Sequence, residues 1–333
     1  VKRWLIGFAK IAIPVSILVW LVYRLVTDNP QDVADLLRRP KDWPRLILAL
    51  SIYLGLVAIT FVRWFLLVRS LKLPFKLRDA FRLGFISYLL QFVSLGAVGG
   101  DLFKALFLAR EQPQRKPEAV ATIFIDRIVG MLGLLLLASV AVFWIPKEGA
   151  FAQLAQAKLI FVSAASVGVG IFLLLLFTKF SLTSVMPRMR KAKFLRTTLL
   201  RVEGAIRMYR EDRKSVVLAL ALGFLTHLMH GVAIYTAATA FFPDGPGLGE
   251  QVVMWAVAGS VGSLPIAPGG LGTFELAYGW LYERMATPLL ANEGVLVALL
   301  YRVMTLVTAG VGIFVYLSCR REMQEVLTHE EVA

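Results

Sequence analysis

The chain has 333 residues, 58% of them hydrophobic and 17% charged, with a mean hydropathy of +0.72. That apolar content exceeds what a single water-soluble core can bury, which excludes water as the main solvent. A formal net charge of +14 would suit nucleic acid, but the basic residues gather in loops between apolar stretches, where anionic headgroups are the natural counter-charge.

A helix needs roughly 20 mainly apolar residues to cross the hydrocarbon. The first stretch that long, Leu5 to Val26, carries Lys2, Arg3 and Lys10 at its start and lacks a small-residue cleavage site, so it reads as an anchor and not as a removable signal. Leu46 to Val68 is the second span. The apolar segment after Phe81 is then interrupted at Ser94-Leu95-Gly96-Ala97-Val98-Gly99-Gly100-Asp101 and resumes over Leu102 to Ala109. Ala119 to Ile145 and Leu159 to Phe180 are the next full spans.

Residues 181–214 form a basic segment, with ten Lys and Arg between Arg188 and Lys214. Within it Phe194, Leu195, Thr198, Leu199, Val202, Ile206 and Tyr209 recur at helical spacing, which describes either an interfacial amphipathic helix on a leaflet or an ordinary basic loop. Val216 to Phe242 follows, with His227 and His230 three apart on one helix face. They suit interhelical hydrogen bonding better than a metal, for which further ligands are missing. A second interruption reads Ser263-Leu264-Pro265-Ile266-Ala267-Pro268-Gly269-Gly270-Leu271-Gly272-Thr273-Phe274-Glu275, resuming over Leu276 to Tyr282, and Val295 to Leu317 is the last span. Cys319 is the lone cysteine, which excludes an intrachain disulfide or a cysteine metal cluster. The ten-residue alternation of a membrane β-barrel is absent, so the expected fold is all-α: about six full spans plus two re-entrant helical hairpins.

The excess of Lys and Arg places the amino terminus, the Arg69 to Arg82, Lys104 to Glu118 and Arg188 to Lys214 loops, and Arg320/Arg321 on the cytoplasmic side, so both termini are expected there. Each interrupted segment then begins and ends on one side, the first dipping in from the cytoplasm and the second from outside. The two halves match further. A Ser-Leu pair precedes a Gly-Gly pair, an acid follows, and Arg127 lies 26 residues after Asp101 as Arg302 lies 27 after Glu275. Within one membrane domain over 1–333, two repeats of opposite topology are expected over 46–145 and 216–317. Such paired broken segments point to a transporter binding site near the midplane.

Charged side chains at bilayer depth cost at least about 2.5 to 3.5 kcal/mol each, so Asp101, Asp126, Arg127, Glu275 and Arg302 need partners or a wet cavity. One reading has Arg127 and Arg302 hold a phosphate through their guanidinium forks. The other has the pairs Asp101 with Arg127 and Glu275 with Arg302 pin each hairpin to its neighbouring span. Gly99, Gly100, Gly269, Gly270 and Gly272 with Pro265 and Pro268 would unwind the chain and free backbone groups there.

The sequence resembles the lysylphosphatidylglycerol synthase transmembrane-region family, which includes the flippase-like half of the bacterial multiple peptide resistance factor and its stand-alone relatives. The resemblance rests on Gly99-Gly100-Asp101 with Lys104, on Ile125-Asp126-Arg127, and above all on Pro265 to Glu275. It implies a multi-pass protein of a bacterial-type inner membrane that translocates or binds a phosphate-bearing lipid. It adds Lys104, Gly269, Gly270 and Thr273 to the substrate-binding candidates Asp101, Asp126, Arg127, Glu275 and Arg302. A short charged tail alone follows Leu317, so headgroup synthesis is not carried over.

The leading expectation is therefore lipid translocation without enzyme activity, cofactor or nucleic-acid partner, with anionic membrane lipids as the ligand. A small-solute or ion-coupled transporter using the same architecture is an alternative. So is a membrane enzyme acting on lipid headgroups, although no metal cluster, nucleophile-base pair or acid pair stands at catalytic spacing. A homo-oligomer or a separately encoded lipid-modifying enzyme stays open as a partner.

Overall fold

The computed structural model describes residues 41–93, 97–141, 143, 155–178, 204, 206–263, 270–285 and 293–319, with Tyr23, Thr27 and Arg38 as isolated positions. The expected first span, Leu5 to Val26, lies outside the described residues, as do most of the basic segment 181–214 and the proline-containing part of the second interruption.

In chain order the helices are α1 (Trp43–Ser70), α2 (Leu77–Val93), α3 (Ala97–Glu111), α4 (Lys116–Ala141), α5 (Ala155–Phe177), α6 (Arg213–Thr239), α7 (Leu248–Gly262), α8 (Thr273–Met285) and α9 (Glu293–Ser318). No strand occurs among the described residues. Four of them, α1, α4, α6 and α9, are long and apolar enough to cross a membrane. The expected span from Leu159 is α5, a helix of 23 residues that includes the apolar stretch Val162–Leu174. At 17, 15, 15 and 13 residues, α2, α3, α7 and α8 fall short of the roughly 20 a crossing requires.

Local chemistry sets the helix starts. Asp42 accepts the Arg45 N–H at 3.1 Å and Asp212 accepts the Ser215 N–H at 3.4 Å, each satisfying a backbone donor that the first turn leaves open. At α7 the carboxylate of Glu250 reaches back to the Gly247 N–H at 2.8 Å. Glu275 does the same at α8 with the Gly272 N–H, also at 2.8 Å, but as a fully buried group.

The order long helix, two short helices, long helix thus occurs twice, as α1–α4 and as α6–α9. The packing follows the same correspondence. The first long helices of the two halves, α1 and α6, pack together at the centre, and α3 lies on α4 as α8 lies on α9. Crosswise, α2 packs on α9 as α7 packs on α4, so each short-helix pair is held between the last long helices of both halves. Glycine permits the closest approaches. A Cβ on Gly100 would come within 2.2 Å of the Ser87 carbonyl oxygen, which forces α3 to meet α2 through backbone.

The interior divides into an aromatic cluster around Tyr53, Phe61, Trp255, Tyr278 and Tyr301 and an aliphatic one around Leu67, Leu83, Leu108 and Ile123. Phe124, Met131, Ile171, Val303 and Phe314 are exposed on the long helices, which suits hydrocarbon as their solvent. Ile206 and Tyr209, the described part of the amphipathic pattern, are buried in the protein, and the Tyr209 hydroxyl donates to the Leu67 carbonyl at 3.2 Å. That end of the basic segment docks on α1.

Candidate substrate cavity

Three acids on or beside the long helices find three arginines. Arg302 on α9 donates through Nε to Glu275 Oε1 at 2.6 Å, while Glu275 Oε2 takes the Gly272 N–H. Arg127 on α4 is paired with Asp101 on α3. Asp126, one residue earlier on α4, turns to a different helix and accepts from Arg63 Nε on α1 at 2.7 Å. The ammonium of Lys104 sits 3.6 Å from the second oxygen of Asp101 and 4.9 Å above the ring of Trp64, one helical turn past Asp101 on the same face.

These groups meet around one cavity of about 320 Å³. Its charged lining comprises Arg63, Asp101, Lys104, Asp126, Arg127 and Arg302, and Gly270 lines it as well. Glu275 is fully buried behind Arg302 and does not line it. Thr273 is also set back, its hydroxyl donating to the Gly270 carbonyl at 3.1 Å. Gly269 lies outside the described residues. The pairings expected from the repeat are thus present on both sides, and eight of the nine candidate residues can be placed.

The second interruption uses its glycines as backbone chemistry demands. Gly270 and Gly272 have φ of +68° and +78°. A Cβ on Gly270 would also stand 2.7 Å from the Gly262 carbonyl oxygen at the end of α7. That turn brings the Gly270 carbonyl within 3.4 Å of Arg302 Nη2, so the arginine holds both the acid and the turn of α8.

Arg63 was not among the sequence candidates. Its side chain is 9% exposed, and its Nε donates to Asp126 Oδ1. Gly130 on α4 and Gly223 on α6 make room for the rest of the guanidinium. A Cβ at Gly130 would lie 3.2 Å from Nη2, and one at Gly223 3.5 Å from Nη1.

The remaining wall is aromatic and polar. His227 Nε2 meets the Gly130 carbonyl at 3.1 Å, the interhelical bond expected. His230 instead bonds within its own helix, to the Thr226 carbonyl at 2.7 Å, and stacks on Trp255 with ring centroids 4.2 Å apart. Tyr53 and Tyr88 share a hydroxyl hydrogen bond of 2.7 Å. Ser87 Oγ, His227 Nδ1 and Trp255 Nε1 are buried without a hydrogen-bond partner among the described residues. Buried polar atoms are ordinarily satisfied, and all three of these residues line the cavity.

The family model for the lysylphosphatidylglycerol synthase TM region matches residues 7–312. The chain belongs to that family. A comparison with curated proteins returned no match. Membership makes this a multi-pass membrane protein of a family linked to lipid headgroup handling, and the matched stretch contains every charged residue of the cavity.

Proposed function

We propose that the chain is a lipid carrier that binds a phosphate-bearing headgroup in the cavity between its two halves and moves it across a bacterial-type inner membrane. The observation that carries the reading is the charge on the cavity wall. Arg63, Lys104 and Arg127 outnumber Asp101 and Asp126 by one, while Arg302 is balanced by Glu275. A singly charged phosphodiester would neutralise the surplus in surroundings where an uncompensated charge is costly.

The paired arrangement of α1–α4 and α6–α9 supports two repeats of inverted topology, with α2–α3 and α7–α8 as the re-entrant hairpins that meet at the cavity. Rocking of one half against the other would expose the cavity to each side in turn. In this reading the chain performs no bond chemistry, both termini are cytoplasmic, and any lipid-modifying enzyme is a separate partner.

Capture at the cavity tests the proposal. A photo-reactive side chain placed at Gln91, on the cavity wall, should crosslink in membranes to phosphate-bearing lipid, enriched over the same probe at the exposed Ile171. Equal lipid profiles at the two positions would remove the proposed site.

A further inference from the structure

We infer that the anion-holding group of the cavity is the guanidinium of Arg63, assisted by Lys104, and that Arg302 is a structural staple. The inference rests on the proposed phosphate-bearing ligand and names the residues that grip it.

The three arginines are engaged to different degrees. Arg302 sends Nε and Nη2 to Glu275 and Nη2 to the Gly270 carbonyl, and its side chain is 5% exposed, so its donors are directed at protein. Arg127 points Nε at Asp101, and its side chain is 43% exposed, which weakens its field through solvent. Arg63 spends Nε on Asp126, leaving Nη1 and Nη2 with no hydrogen-bond partner among the described residues. Arg63 lines the cavity with a side chain nine-tenths buried, and Gly130 and Gly223 leave the room that its two terminal nitrogens occupy.

This geometry suits an oxyanion with two oxygens to present. Asp126 fixes the plane of the guanidinium through Nε, and the opposite edge offers two parallel N–H donors at the spacing of phosphate oxygens. Lys104 adds a point charge from α3, braced by Asp101 and by the Trp64 ring. The half-equivalence of the fold makes the contrast sharper. The second half supplies one balanced pair, Arg302 with Glu275, whereas the first supplies the surplus cation. The anion therefore belongs to the first half.

The test is titration calorimetry on the full chain in detergent with dihexanoylphosphatidylglycerol, inorganic phosphate and dihexanoylglycerol. The wild type should bind the phospholipid and not the phosphate-free lipid. Arg63→Lys keeps the charge on Asp126 but loses the fork, and should bind about ten-fold more weakly or worse. The neutral pair Arg63→Gln/Asp126→Asn, which removes both members of one ion pair and leaves the net charge of the wall unchanged, should lose binding as well. Phospholipid should also slow phenylglyoxal modification of Arg63 in the wild type while leaving the exposed Arg45 unprotected, a readout that needs no variant to fold.

Unprotected Arg63, or binding by either folded variant within about two-fold of wild type, overturns the inference while the functional reading stands. No binding of phospholipid or phosphate by the wild type overturns the functional reading and this inference together. Arg63-dependent binding of inorganic phosphate as tight as that of phospholipid supports the clamp and makes its cargo a solute.

Discussion

Replacing Arg302 by glutamine tests whether the second charge pair holds α8 to α9. Both Nε and Nη2 stand 2.6 Å from Glu275 Oε1, and Glu275 is fully buried. At an effective dielectric near 20, the attraction at that distance is about 6 kcal/mol, much of it offset by the cost of removing both charges from water. Deleting one partner removes the attraction and keeps the other group's desolvation cost, so Arg302→Gln should destabilise by about 3 to 5 kcal/mol. The double variant Glu275→Gln/Arg302→Gln should recover most of this loss. Its glutamine at 275 can still accept the Gly272 N–H, and the Gly270 carbonyl keeps the Thr273 hydroxyl. Thermal melts in detergent of the wild type, both single variants and the double form the assay. A double variant no more stable than the singles, or an Arg302→Gln protein that melts with the wild type, would refute the staple.

Gly270→Leu should abolish transport and lower the melting temperature, because the residue holds φ of +68° and its Cβ would press on the Gly262 carbonyl; wild-type transport rates would contradict this. Tyr209→Phe should cost about 0.5 to 1.5 kcal/mol by removing the hydrogen bond to Leu67, read as a small fall in melting temperature. Single cysteines on a Cys319→Ala background should make position 72 reactive from the cytoplasmic side and position 247 from outside, and reaction of both from one side would contradict the inverted repeats.

The long helices, the second glycine-rich interruption and two of the three ion pairs were legible in the sequence, whereas Gly99 and Gly100, expected to unwind the chain, lie inside α3, where Gly100 serves close packing on α2. Hydrocarbon imposes that legibility: a span must be long and apolar, and an acid at depth must find a cation, so the spacings from Asp101 to Arg127 and from Glu275 to Arg302 carried real information. Arg63 was missed although it lies inside the apolar stretch Leu46 to Val68. Asp126, for its part, was assigned no partner by the acid-to-arginine spacing that paired Asp101 with Arg127 and Glu275 with Arg302. On a helix, consecutive residues point about 100° apart, so Asp126 and Arg127 serve different neighbours, Arg63 on α1 and Asp101 on α3. Nothing in one sequence states which helix stands on which side of α4.

Of the amphipathic pattern only Ile206 and Tyr209 are described, and where they dock was not legible for a related reason. A stripe of apolar residues at helical spacing says that one face leaves water, but a leaflet and the end of α1 satisfy it equally. His230 likewise looked like an interhelical donor, whereas the flat face of Trp255 offered it a stack, a geometry that residue spacing does not encode.

In the proposed function the cavity carries a phosphate-bearing headgroup across the bilayer. The most direct measurement is translocation in proteoliposomes of two fluorescent lipids that differ in headgroup, phosphatidylglycerol and a phosphate-free galactolipid. This function predicts accelerated movement of phosphatidylglycerol alone, abolished by Arg63→Gln/Asp126→Asn in protein that still folds. Equal acceleration of the galactolipid, or no acceleration of either lipid, would contradict it.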